Sequence, residues 1–404
     1  MRLLTAVMLV LPITLFVSQL PIPDATADEP RLPGIGAAMQ AMIDAHEIVG
    51  AVTVVVDREH FRHLECTGLA DVAAGRPMTP DTFFWIASMT KPVTGVAIMI
   101  LADEGRLSLD DLVERHIPEF AELRTPSGKP ARLTIRQILT HTSGVGEAAW
   151  QAAHDAKTLA ELVPAWLTAP MQYEPGEKWV YTQSGLNLAG RIVEVISGQP
   201  FDTFLQKRLF DPLGMVDTTF YPTDTQRGRL ATGYLRNKNT GQLDVAIPRR
   251  EYGDRSRPPL GNGGLYSTPL DYARFCTMLL NRGLFDGQRI LSQEAVGTLS
   301  AVQTGDLPTG FLQAEAYGSH GQNYGWGVGT CVVKVPHDGV AAGLSAGTFG
   351  HGGAWGTQAW IDPVQHTATI LMVQRANFPN SDGSIVRRAF QEAAAAALVT
   401  AAEQ

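Results

Sequence analysis

The sequence predicts an α/β fold: an antiparallel sheet built from both ends of the chain, flanked by helices, with a mostly helical domain inserted between the two ends. Three observations carry this reading. Runs rich in Val, Ile and Thr, bounded by turn residues, occur near both termini and read as strands. The stretch from Ser88 to about Leu299 reads mostly as helix. No internal repeat and no low-complexity linker interrupts the chain. Strands at both ends and helices between are most simply satisfied when the terminal strands share one sheet, and chain ends often lie close together. The expected division is an α/β domain from residues 28–87 and 320–404, and an inserted helical domain from 88–319. A cleft between them is the natural place for a ligand.

The elements follow in order. Arg2 is a positive start, Leu3 to Val17 is apolar, and Ala25-Thr26-Ala27 is a small-residue cleavage site, so residues 1–27 read as a signal peptide. The apolar stretch is short for a bilayer. The mature chain is therefore expected to be exported, periplasmic or secreted, after cleavage near Ala27, with no membrane span. Gly34 to His46 reads as a helix, Gly50 to Asp57 as a buried strand, and Leu64 to Asp71 as its hairpin partner. Leu133 to Thr140, Ser184 to Ile196 and Leu270 to Leu280 read as helices. Tyr324 to Lys334, Gln358 to Asp362 and Ala368 to Gln374 read as strands, and Ile385 to Ala402 as a terminal helix.

The composition is that of an ordinary globular protein: 404 residues, 45% apolar and 18% charged, with a net charge of −8. A chain of this length buries an ample core. No Lys/Arg run reaches five residues, so no nucleic-acid footprint is present. Arg249, Arg250, Arg255 and Arg257 are interrupted by Glu251 and Asp254 and read as a solvated loop. Cys66, Cys276 and Cys331 lack metal-type spacing; one disulfide is possible, but three buried thiols fit better. No metal and no cofactor are called for.

Ser88-Met89-Thr90-Lys91 is the most informative segment. A serine hydroxyl is a weak nucleophile until a neighbouring base takes its proton. Residues three apart share a helix face, so Lys91 can reach the Ser88 hydroxyl. Pro92 is tolerated only in a first helical turn, which puts Ser88 at or just before it. Unpaired N–H groups there favour a developing anion. Alone, the pattern also fits an N-cap serine followed by a solvated lysine.

Further segments overturn that ordinary reading. Tyr181-Thr182-Gln183 and His351-Gly352-Gly353 follow in order, flanked by Leu133 to Gly144, Asp211-Pro212-Leu213-Gly214-Met215 and Gly263 to Thr268. With them the chain resembles the serine β-lactamase and DD-peptidase superfamily, in its class C-like branch with the family VIII carboxylesterases, from about Ile35 to the terminal helix. The resemblance implies a β-lactamase-like fold and three active-site elements: S-x-x-K at Ser88–Lys91, Y-x-N at Tyr181–Gln183, and K-T-G or H-x-G at His351–Gly353. It implies Ser88 as nucleophile, Lys91 or Tyr181 as base, and an oxyanion hole from the N–H groups of Ser88 and Ala354. Gly352 and Gly353 would let a strand edge approach the substrate. The implied substrate is a small ester, amide or peptide.

Two departures from the pattern set the expected specificity. Gln183 stands for the usual asparagine and moves the amide by one methylene, where small displacements are costly. His351 stands for a lysine and carries less charge at neutral pH, which weakens recognition of a substrate carboxylate. Both favour a carboxylesterase over a D-Ala-D-Ala carboxypeptidase or class C-like β-lactamase. A non-catalytic peptidoglycan or peptide binder with the same fold is the reading from another class.

Other segments compete less well. Gly343-Leu344-Ser345-Ala346-Gly347 matches a nucleophile elbow, but the Thr348–Gly353 segment after it is no helix, and the last histidine, His366, lies only four residues past Asp362. His60, His63 and Glu65 read as solvated residues rather than a metal site. His141 ends a helix and reads as structural, serving the last carbonyls. Trp355 either lines the cleft or packs in the core.

Overall fold

A computed structural model describes residues 30–246, 255–309, 322–337, 341–376 and 384–403. The expected signal peptide lies outside the described residues, as do Arg249, Arg250, Glu251 and Asp254 of the basic loop. In chain order the elements that frame the site begin with helix α1 (Ile35–Asp44), strands β1 (Gly50–Val56), β2 (Phe61–Asp71) and β3 (Arg76–Pro77), and helix α2 (Thr90–Asp103). Helices α3 (Ser184–Ser197) and α4 (Pro269–Leu280) follow. Strands β4 (Tyr324–Trp326), β5 (Cys331–Val333), β6 (Phe349–Gly352), β7 (Gln358–Asp362) and β8 (Thr367–Met372), then helix α5 (Ile385–Glu403), complete the frame.

Among the described residues the main sheet has eight strands in the order β4-β5-β6-β7-β8-β1-β2-β3, each antiparallel to its neighbour. Strand β1 joins the two ends of the chain, with Val54 opposite Ile370 on one side and Leu64 on the other. The sheet is thus drawn from both termini, as the sequence predicts.

Successive strand side chains point to opposite faces, and β1 serves two cores. Val52, Val54 and Val56 join Ile370 and Met372 in the large cluster that includes Val93 and Val96 of α2 and Phe275 and Leu279 of α4. Ala51 and Val55 join Leu371 in a second cluster with Ile35 and Met39 of α1 and Val386 and Phe390 of α5. Burial of each Val, Ile or Phe contributes roughly 1.5–3 kcal/mol. The fold is therefore a sheet sandwiched between the terminal helices and the helical insert.

The sequence expectations need four corrections. Tyr324 to Lys334 is a hairpin of two strands rather than one strand. Gly329 has φ 71°, and a Cβ there would stand 2.6 Å from the Lys91 carbonyl oxygen; glycine both turns the chain and lets it touch α2. His63 is fully buried rather than solvated. Its Nδ1 accepts the Leu32 N–H (3.1 Å), which leaves the ring proton on Nε2, 2.9 Å from Thr53 Oγ1. A register shift between Val55 and Val56 places His63 opposite Val55 and Phe61 opposite Val56, so His63 turns inward beneath the N-terminal segment. Cys276 and Cys331 are buried, as read, but Cys66 is only half-buried. Arg255 is exposed, as read, whereas Arg257 is half-buried against a pocket.

No helix among the described residues is long and apolar enough to cross a membrane.

Candidate active site

Ser88 lies in a 3-10 turn, Ala87–Met89, that runs straight into α2, with Pro92 in the first turn of that helix. Ala87 has φ 46°, in the left-handed region that residues with a Cβ adopt at a cost of about 1–3 kcal/mol. The turn is braced by the Thr90 hydroxyl, which donates to the Ala87 carbonyl (2.7 Å) and accepts the Leu265 N–H (3.1 Å).

Lys91 is fully buried. Its Nζ has three partners: Ser88 Oγ at 3.1 Å, Gln183 Oε1 at 3.0 Å and the Asn262 carbonyl at 2.6 Å. The Tyr181 ring centroid is 4.8 Å away. Burial pulls the amine down to about 7, and the negative charge of Glu147 works in the opposite direction. Two of the three partners fix where the protons go. A carbonyl can only accept. Gln183 Oε1 is identified as an acceptor by the Asn262 side-chain amide that also donates to it at 2.9 Å. The two protons of a neutral amine therefore go to Asn262 and Gln183, and its lone pair faces Ser88. The extra methylene of Gln183 does not withdraw the amide from Lys91.

Tyr181 supplies the opposite wall. Its hydroxyl is 3.5 Å from His351 Nε2 and is hydrogen-bonded to Ser88. Burial raises the phenol well above its ordinary value, and the Ser88 bond offsets only part of that. His351 Nδ1 donates to the Gly352 carbonyl (2.6 Å), so Nε2 is the acceptor that faces Tyr181. Burial, then the nearby Lys91, hold His351 well below the usual histidine range. It is a neutral imidazole.

Four residues join the site that sequence reasoning did not place there. Asn262 acts through its backbone carbonyl, which carries no side-chain signature. Glu147 accepts the N–H groups of Gln183 and Ser184 and the Ser184 hydroxyl at the start of α3. His141 does not serve helix-end carbonyls: its Nδ1 accepts the Thr182 N–H (3.2 Å), and its ring lies 4.6 Å from that of Tyr181. Arg387 of α5 is buried and donates to the carbonyls of Gly353 (2.7 Å) and Thr357 (2.9 Å). His141 lay inside the Leu133–Gly144 segment, Glu147 just after it and Asn262 just before Gly263, whereas Arg387 lay near no recognised motif.

The edge of β6 closes the site. The Gly353 N–H donates to Thr357 (2.7 Å), which turns the chain after Gly352. A Cβ on Gly353 would stand 2.1 Å from Thr357 Oγ1 and 2.5 Å from the Ile86 carbonyl oxygen. Only glycine allows this strand end to approach the Ser88 turn so closely. The N–H groups of Ser88 and Ala354 have no acceptor among the described residues, and Ala354 is exposed. Trp355 stands 5.6 Å from Trp85 in a half-buried aromatic pair. Ser345 lies apart from this group: its N–H donates to Asp362 (2.8 Å), and its hydroxyl is 3.5 Å from Gln365 Nε2. The structure brings Ser88, Lys91, Tyr181, Gln183 and His351 into one cluster with the Gly352–Trp355 edge beside it, and leaves out the elbow-like serine.

Comparison with known proteins identifies the family and the fold. Residues 35–394 match the Beta-lactamase family. Protein Rv1367c of Mycobacterium tuberculosis (strain ATCC 25618 / H37Rv) is 34% identical over 369 residues, spanning 85% of this chain and 90% of that protein. Esterase EstB of Burkholderia gladioli is 29% identical over 384 residues, spanning 87% of this chain and 94% of EstB. The solved structure of EstCE1, a hydrolase with promiscuous acyltransferase activity, shares the fold with a TM-score of 0.74 at 22% identity, over 88% of this chain and 97% of that one. What folds here is an enzyme of the serine hydrolase class. The chain belongs to the β-lactamase family.

Proposed function

We propose that this hydrolase is carboxylesterase-like and works outside the cytoplasm through an acyl-enzyme on Ser88. The observation that carries the proposal is the environment of the Lys91 amine. Two acceptor oxygens take its protons, the lone pair is left for Ser88, and burial makes the free amine available near neutrality.

The steps follow from the geometry. Lys91 takes the Ser88 proton as Oγ bonds to the ester carbonyl carbon, and the carbonyl π pair moves onto oxygen. That oxyanion is held by the free N–H groups of Ser88 and Ala354, the preorganised donors that acyl transfer needs. Collapse breaks the ester C–O bond. Tyr181 protonates the departing alkoxide, and the new phenolate recovers a proton from the Lys91 ammonium. Water then repeats the sequence on the acyl-enzyme and frees Ser88. Tyr181 suits the donor role because its raised pKa keeps it protonated. Neutral His351 offers no charge to a substrate carboxylate beside Tyr181, so neutral esters are preferred there.

A fluorophosphonate probe followed by peptide mass spectrometry tests the nucleophile; Ser88 is expected to carry the adduct, and labelling of Ser345 would overturn the assignment. The substrate class is tested with p-nitrophenyl butyrate and nitrocefin. The ester is expected to show the higher kcat/KM, and the reverse order would favour a β-lactamase.

A further inference from the structure

A small, partly open pocket lies beside the catalytic cluster and takes no part in the steps above. Trp85, Phe220, Tyr221, Leu260 and Tyr266 form its apolar walls, and Arg257 is the one cationic side chain among its lining residues. It shares structure with the site. Trp85 lies three residues before Ser88 and pairs with Trp355. Gly263 follows Asn262, whose carbonyl holds Lys91, and packs on Ala87.

The polar groups of two walls are already committed. The Trp85 indole N–H donates to the Gly263 carbonyl (2.8 Å), and the Tyr221 hydroxyl donates to the Arg257 carbonyl (2.8 Å). Arg257 differs. Its guanidinium forms no ion pair among the described residues, and its buried Nε has no hydrogen-bond partner there. A second cation, Arg255, lies 5.2 Å over the Tyr221 ring. A half-buried arginine with no carboxylate partner among the described residues, at an aromatic pocket, is suited to hold an anionic group.

We infer that this pocket binds the arm of the substrate distal to the ester, and that this arm is apolar or aromatic and ends in a carboxylate held by Arg257. The inference rests on the esterase reading above and adds the substrate class. The aromatic walls favour the arm by burying its surface, at about 25 cal/mol per Å2. The arginine fork matches a carboxylate in two parallel hydrogen bonds. His351 is neutral, whereas Arg257 is the cationic side chain among the described lining residues of this pocket, so an anionic arm is expected to lie towards it.

The test uses methyl 4-(4-carboxyphenyl)butanoate and its carboxamide twin, with the full chain. Wild type is expected to hydrolyse the carboxylate ester with a kcat/KM about tenfold higher, the scale of one charge-assisted pair. Arg257→Gln should remove that preference and leave the carboxamide ester within about twofold, while Arg257→Lys should retain part of it. Equal rates on the twins in wild type, or an equal loss on both in Arg257→Gln, would overturn the inference. Calorimetry on Ser88→Ala, with and without Arg257→Gln, separates binding from chemistry. The carboxylate twin should bind about tenfold more tightly only when Arg257 is present. If neither ester is hydrolysed but this difference holds, the esterase reading fails and the subsite stands. If both are hydrolysed without preference and bind equally, the subsite fails and the esterase reading stands.

Discussion

Lys91 is the residue through which the proposed chemistry passes, and its surroundings make the mechanism testable by pH. A base active as the free amine gives a kcat/KM that rises as it deprotonates. With the amine at about 7, ester hydrolysis should rise through pH 7 and level off above it. Glu147 holds that amine up, so Glu147→Gln should move the rise to lower pH; an unmoved profile would remove Glu147 from the electrostatics of the site. Lys91→Ala and Tyr181→Phe should each cost about 10²–10⁴-fold in kcat. The double variant should lose little more, because residues that act as one unit are not additive. Multiplicative losses on a p-nitrophenyl ester would show two independent roles. His63 makes a separate prediction about stability. Burial and then Arg31 lower it from 6.5 to about 4, so the unfolded chain binds the extra proton first. Its contribution is present above pH 6.5 and is lost as pH falls towards 4, about 3 kcal/mol at most. His63→Gln should flatten urea-melt stability across that window. Ser88, Lys91, Tyr181, Gln183 and His351 were legible because their identities form ordered motifs. Asn262 was not, because a carbonyl belongs to every residue. His63 was misread because a register shift in β2 has no signature in the alternation of side chains.

At the scale of elements, the feature that matters is the end of β6 and the turn after it. Its glycine and its arginine are separated by more than thirty positions in sequence, so no local pattern links Gly353 to Arg387. Gly353→Ala must displace either Thr357 or the Ile86 carbonyl, which moves the Ala354 N–H away from Ser88. The expected outcome is a folded protein with kcat lower by about 10²–10³, the scale of a lost oxyanion donor, and a melting temperature lowered by the crowding of a buried turn; retained kcat would exclude Ala354 from that role. The hairpin of β4 and β5 was read as one strand because its two short apolar runs are continuous except for Gly327 to Gly329, and a single glycine in a strand also fits a bulge. Helices α3, α4 and α5 were legible to within a few residues, since long periodic segments specify themselves, and Pro92 marked the start of α2.

At the scale of the whole molecule, β1 pairs with β8 and α1 packs with α5 against the same sheet face. A cavity made there weakens the union of both chain ends. Phe390→Ala should cost about 3–5 kcal/mol and lower activity and global melting together, rather than fraying α5 alone; a circular dichroism melt with a separate early transition would contradict this. The α/β character was legible because strands near both termini leave few other solutions, but the strand order was not, since pairing across more than three hundred residues is fixed by packing rather than by adjacency. This closure has a consequence for the order in which the protein is made. Ser88 and Lys91 leave the ribosome early, whereas His351, Gly353 and Ala354 arrive late, and β1 waits for β8 through the synthesis of everything between. A growing chain therefore carries Ser88 without the β6 edge and without its finished sheet until β8 has been made.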